Sequence, residues 1–190
     1  MDLGIAGRKA IVCASSRGLG RACAKALAQA GCEVVINGRD REQLAATAAE
    51  LHQATGAKIT PVAADVATAD GQRALFDACP KPDVLVNNNG GPPFRYFREL
   101  DRQKMLDGVI ANMVVAIELA KKAIDPMVAK KFGRIVNITS DSVKAPIPGL
   151  DLSSGARGAD RVLCRRCPQP RGCLPGVFAT GHFRPMWKPR

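Results

Sequence analysis

From residue 9 to residue 140 short β-branched runs alternate with longer alanine-rich stretches of helical period, and few folds accept that alternation. Parallel strands cannot be joined by a two-residue turn; each needs a crossover, which a helix usually supplies. The pattern predicts strands in KAIVCAS (9–15), CEVVING (32–38), KITPVAADV (58–66), DVLVNNN (83–89) and GRIVNITS (133–140). Helices are expected in GLGRACAKALAQAG (18–31), REQLAATAAELHQATG (41–56), ADGQRALFDAC (69–79) and a longer region from Leu100 to Lys131, broken at their ends by glycine or proline. The fold class is therefore α/β, a doubly wound parallel sheet in a single domain. With 190 residues, 46% of them hydrophobic, the chain can build one such core and not two large ones.

Regularity stops after Ser140. KAPIPGL (144–150) reads as a loop, and GADRVLCRRCPQPRGC (158–173) shows neither a helical nor a strand period. Charge divides the chain at the same place: of the net +11, residues 157–190 hold +7 and residues 1–156 only +4. Basicity thus belongs mostly to the tail. The organisation expected is a domain over residues 1–157 followed by an atypical basic tail, 158–190, in place of a final helix and strands, leaving the sheet incomplete at its C-terminal edge.

The N-terminus MDLGIAGRKAIVCASS lacks the charged, apolar and small-residue sections of a secretion signal, and no stretch reaches the roughly eighteen apolar residues of a membrane span. A soluble, cytoplasmic protein without a membrane partner is expected. Cys13, Cys23, Cys32 and Cys79 are scattered through apolar segments, where a reduced cysteine behaves as a small core residue.

Chemistry first becomes visible at CASSRGLGRACAKAL (13–27), where strand, turn and helix meet. Gly18 and Gly20 let backbone pass close to a bound pyrophosphate, and the helix start offers unpaired amides and the positive end of its dipole. A dinucleotide is the natural ligand of such a turn. Two glycines after a strand are a weak signal alone, since many turns need a left-handed residue and nothing more.

Other features stand at the matching distances: AADV (63–66), NNNG (87–90), Asn112, and GRIVNITS ending at Ser140. Together with the turn they resemble the short-chain dehydrogenase/reductase family over residues 8 to about 157, with the Rossmann-like strand order 3-2-1-4-5. The chain resembles its NADP-dependent carbonyl reductases, such as the 3-oxoacyl-thioester reductase-like members. The resemblance implies that Ser16, Arg17, Gly18, Leu19 and Gly20 hold the cofactor, that Asp65 and Val66 edge its adenine, and that Asn88 and Gly90 support the ribose and the central strand. Ala14 stands where the family has its first glycine, and Asn89 where it has alanine.

Charge points to NADP as the cofactor. A carboxylate ending the second strand would accept the ribose 2'-hydroxyl of NAD, but Gly38 occupies that position, with Arg39 next to it. Arg17 and Arg39 can clamp a 2'-phosphate; the competing role for both is that of solvated surface residues.

By the same resemblance the substrate is a small carbonyl or alcohol, with Ser140 polarising its oxygen and Asn112 holding a relay water. The family's Tyr-x-x-x-Lys should follow, its tyrosine thirteen residues beyond the serine, but Ser153 and Arg157 stand there. An aliphatic hydroxyl ionises far above a phenol of pKa about 10, and a guanidinium cannot give up its proton near neutrality. Catalysis is therefore expected to be impaired, with binding of a cofactor without turnover as the alternative. Tyr96, the chain's one tyrosine, lies in GGPPFRYFREL (90–100) and is expected to pack or to lie on the surface.

Four further expectations concern the remainder. Read one base out of frame with permitted codons, GADRVLCRRCPQPR can give GLTGFFAGVARSLA, an apolar helix of the family's type, and LPGVFAT (174–180) then resembles the family's Pro-Gly-x-x-x-Thr, which suggests a frameshifted or internally deleted relative. Cys164, Cys167, Cys173 and His182 form an alternative zinc set, although no metal site is assigned. The arginine-rich tail should attract nucleic acid only non-specifically. Family members commonly form homo-oligomers through the helices after the fourth and fifth strands, of which the second has no recognisable pattern here.

Overall fold

The computed structural model describes residues 2–91, 94–145, 147–165 and 178–181. Strands and helices alternate in the order β1 (Lys9–Val12), α1 (Gly18–Gln29), β2 (Glu33–Gly38), α2 (Arg41–Thr55), β3 (Ile59–Ala63), α3 (Ala69–Ala78) and β4 (Val84–Asn87). Then come α4 (Arg102–Val109), a π turn (Ile110–Val114), α5 (Val115–Ala129), β5 (Arg134–Ser140), α6 (Asp151–Arg165) and β6 (Phe178–Gly181). All strand pairs are parallel, in the order β3-β2-β1-β4-β5-β6.

Strand periodicity divides the core between the two faces of the sheet. Ala10, Val12, Val34, Ile36, Val84 and Val86 point to one face and pack with Ala24 and Ala28 of α1 and Leu44 and Leu51 of α2. Ile11, Cys13, Val35 and Leu85 point to the other, against Leu75 of α3 and Leu119, Ala123 and Met127 of α5. Pro61 lacks an N–H for the ladder and is tolerated because β3 is an edge strand. No helix among the described residues is long and apolar enough to cross a membrane.

Local signals set the helix ends. Asp40 accepts a hydrogen bond from the Gln43 amide at 3.0 Å to start α2, and Gly56 ends it at φ +69°. Thr68 and Asp101 cap α3 and α4 in the same way. α1 differs: no side chain caps it and no acid lies in its first turn.

The C-terminal region carries regular structure that its sequence pattern does not display. The helix after β5 is present as α6 and runs through residue 157, and β6 extends the sheet beyond five strands with Asn137 opposite Phe178 and Ser140 opposite Gly181. Gly155 and Gly158 weaken the helical pattern of α6, but tertiary packing overrides propensity. Leu152 lies against Gly108 of α4, where an added Cβ would come within 3.2 Å of it, and Ser153 and Ala156 are buried. β6 is four residues long, too short to display a period of two. The supposed zinc ligands Cys167, Cys173 and His182 lie outside the described residues, as does most of the basic tail.

The amino ends of the strands are tied by Asp83, a buried carboxylate just before β4. Its Oδ2 accepts from the Lys9 amide at 2.9 Å, and its Oδ1 from Lys130 Nζ at 3.0 Å and Arg8 at 3.5 Å. Desolvation pushes the Asp83 pKa up, but the Lys9 amide and the Lys130 and Arg8 charges outweigh it, and the net shift is downward. A carboxyl more acidic folded than unfolded stabilises the fold above its unfolded pKa, and that contribution disappears as pH falls through the folded value. Asp83→Asn is expected to cost about 2 kcal/mol at pH 7. In urea titrations the gap between variant and wild type should close on acidification below about pH 4; a gap constant with pH contradicts this account.

Candidate functional site

β1 ends in a turn that folds back on itself before α1 begins. Ala14 holds φ +44° and Gly18 φ +59°, both in the left-handed region. For Ala14, which replaces the family glycine, that conformation costs about 1 kcal/mol. Gly20 is required: a Cβ there would lie 2.3 Å from the Ala14 carbonyl oxygen and 2.9 Å from Asn88 Nδ2. Asn88 itself donates to that carbonyl at 3.1 Å, joining the end of β4 to the turn.

Arg17 occupies the N-cap of α1, with Gly18 and Leu19 exposed beside it, and Leu19 is 50% exposed despite its apolar side chain. Ser16 sits across from the end of β2, where an added Cβ on buried Gly38 would come 3.2 Å from its Oγ. The next residue, Arg39, is exposed. The turn, Arg17, Ser16 and Arg39 therefore share the carboxyl end of β1 and β2. Asp65 bends its carboxylate onto the Ala67 amide at 2.9 Å, while the Val66 side chain is buried in the core cluster of α3 and α5. Gly90 is exposed, and its amide donates to Asn89 Oδ1.

The second half of the site lies between β5, the π turn and α6. Asn112 is buried in that turn; its Nδ2 donates to the Gly108 carbonyl at 2.9 Å, and its buried Oδ1 has no hydrogen-bond partner among the described residues. π turns are rare and concentrate at functional sites. Asn89 donates to the Ala111 carbonyl at 3.0 Å and so holds the same turn from β4. A polar cavity of about 20 Å³, room for one water, is bounded by Asn87, Asn112, Asn137, Ile138 and Arg157.

Ser153 and Arg157 are brought together by their spacing of one helical turn: Arg157 Nε donates to Ser153 Oγ at 3.1 Å, and its Nη1 to the Ile138 carbonyl at 2.6 Å. Ser153 is 5% exposed. Ser140, at the end of β5, receives hydrogen bonds from the Ser142 amide at 3.2 Å and hydroxyl at 3.0 Å. Tyr96 is 61% exposed, edge-on to Phe94 with ring centroids 5.8 Å apart, and its hydroxyl has no hydrogen-bond partner among the described residues. Burial pushes the Cys13 thiol up to about 12, which the Asn88 amide only partly offsets, so this cysteine beside the turn is no nucleophile at neutral pH.

Sequence reasoning missed the buried polar frame beneath the site. Asn37 accepts from the Ala14 amide and donates to the Val62 and Ala64 carbonyls, while its own amide donates to Ser15 Oγ. Asn87 donates to its register partner Asn137 at 2.8 Å. The available signal was asparagine inside apolar strands, since a buried amide must find partners.

A doubly wound sheet with a glycine turn at the carboxyl end of its first strand defines a Rossmann-like nucleotide-binding fold. A family model for short chain dehydrogenases matches residues 8–167, and the chain belongs to that family. Gluconate 5-dehydrogenase of Gluconobacter oxydans is 31% identical over 188 residues, covering 93% of this chain and 73% of the relative. An uncharacterized oxidoreductase of Bacillus subtilis, YvaG, is 35% identical over 148 residues, covering 77% and 56%. L-sorbose reductase from Gluconobacter frateurii, complexed with NADPH and L-sorbose, superposes with TM-score 0.82 at 27% identity, covering 87% of this chain and 64% of that one. The chain thus spans roughly half to three quarters of the length of these relatives.

Proposed function

We propose that the chain binds NADP(H) as an oxidoreductase of carbonyl or alcohol substrates, with a catalytic site deficient in proton transfer. The uncapped start of α1 and the close Gly20–Ala14 approach fit a pyrophosphate, and the complex of L-sorbose reductase with NADPH supports a nicotinamide cofactor. The preference for NADP rests on Gly38, which offers no carboxylate at the end of β2 and lies against Ser16, while Arg17 and Arg39 flank that point. NADPH should bind about tenfold or more tightly than NADH, and Arg17→Ala with Arg39→Ala should remove the difference. Equal affinities of wild type for both, by fluorescence titration, contradict the preference.

Bound there, the cofactor supplies the hydride. The protein's part is to orient the substrate oxygen at Ser140, whose Oγ is held by Ser142, and to hold a water at the Asn112 amide. Protonation is the weak step. Ser153 offers an aliphatic hydroxyl whose oxygen already accepts from Arg157, and the guanidinium is turned onto the Ile138 carbonyl. This pair is the observation that carries the proposal of impaired turnover, and it equally favours cofactor binding without turnover. Four free thiols, Cys13, Cys23, Cys32 and Cys79, support a reducing, cytoplasmic setting. Exposed Met105, Leu106 and Ile110 around α4 support association with a second copy.

A further inference from the structure

A second cleft, of about 440 Å³, opens at the amino ends of the strands, at the opposite end of the sheet from the glycine turn. Its charged lining is Lys9, Lys58, Lys81 and Lys130 with Glu33 and Asp83, a surplus of two positive charges. The pairing is uneven. Lys130 is held by Asp83 at 3.0 Å and Lys58 by Glu33 at 3.7 Å. Arg8, just outside, is engaged by Asp83 and by the face of Phe132, 3.8 Å from the ring centroid. Lys9 and Lys81 have no carboxylate partner among the described residues. Lys130 also donates to the Lys81 backbone carbonyl at 2.6 Å.

Gathering ammonium groups in one concavity costs repulsion, and a ligand of opposite charge relieves it. Ala78, Cys79 and Pro80 add an apolar wall, and Thr60 a hydroxyl. The volume falls within the range of small-molecule sites. We propose that this cleft binds a small organic anion with two or more carboxylate or phosphate charges on a carbon frame, with Lys9 and Lys81 as its recognition residues. The two uncommitted ammonium groups match two anionic groups, and the apolar wall favours an anion with a carbon body over an inorganic one.

Citrate, with inorganic phosphate as the frameless comparison, provides the test by amide chemical-shift titration of the full chain. Saturable shifts at Lys9, Thr60, Ala78 and Lys81 are expected, with citrate tighter than phosphate and neither displaced by NADPH. Lys9→Glu with Lys81→Glu should weaken citrate about tenfold or more, and Lys9→Gln with Lys81→Gln by less, the glutamine pair with an unchanged urea midpoint because neither lysine holds an ion pair among the described residues. Shifts confined to residues 14–20 or to 157–190, displacement by NADPH, or unaltered affinity in the folded double variants would each overturn the proposal. Because the cleft is separate from the glycine turn, failure here leaves NADPH binding intact.

Discussion

Gly20→Ala should weaken NADPH binding severely and cost the fold about 2–4 kcal/mol. The new methyl group would lie 2.3 Å from the Ala14 carbonyl oxygen and 2.9 Å from Asn88 Nδ2, and the first of these is backbone that cannot swing aside. The turn must open, Asn88 must release Ala14, and the α1 amides lose their aim at the pyrophosphate. A loss of about 2–4 kcal/mol in urea denaturation is expected, with affinity for NADPH reduced about a hundredfold or more. Gly90→Ala is the matched control: nothing lies within 4 Å of its added Cβ, so stability should stay within about 0.5 kcal/mol of wild type. If both variants behave alike, the close approach at Gly20 is not what shapes the site.

The second large effect is a gain. Ser153→Tyr combined with Arg157→Lys should raise NADPH-dependent carbonyl reduction by about a hundredfold or more, since a positioned general acid contributes factors of that order. A phenol is acidic enough to be tuned by an adjacent ammonium group, which Ser153 is not. The two changes are coupled. Arg157 now fills the space above Ser153 and donates to both Ser153 Oγ and the Ile138 carbonyl, so tyrosine alone would overpack a site that is 5% exposed, costing about 1–3 kcal/mol. Lysine in place of arginine removes the bulk and keeps the charge. A double variant that binds NADPH normally and gains no rate would show that the missing acid is not the limiting defect.

Most of the fold was legible because each strand from β1 to β5 is an apolar run between clear helical periods, and the two core faces follow from alternation within those runs. The glycine turn and the Ser153–Arg157 spacing were equally legible, since both are local. What escaped depends on contacts distant in sequence. α6 was hidden by Gly155 and Gly158 and is held by packing on α4, while β6 is defined only by its pairing with β5. Asn37, Asn87 and Asn137 stand out along the chain only as polar residues inside apolar strands, and their partners appear only when neighbouring strands lay carbonyls and amides beside them. The π turn at Asn112 was read as unbroken helix, because an i→i+5 bond leaves no residue signature of its own.

Central to this account is a chain that holds NADPH and lacks a group able to protonate the product alkoxide. The direct measurement is NADPH oxidation by the wild-type protein over a panel of carbonyl compounds, at cofactor concentrations shown by fluorescence to saturate it, beside Ser140→Ala. The account predicts saturable NADPH binding with oxidation at or near the rate without substrate, and little further loss in Ser140→Ala. Rapid oxidation on any carbonyl, abolished by Ser140→Ala, would contradict it.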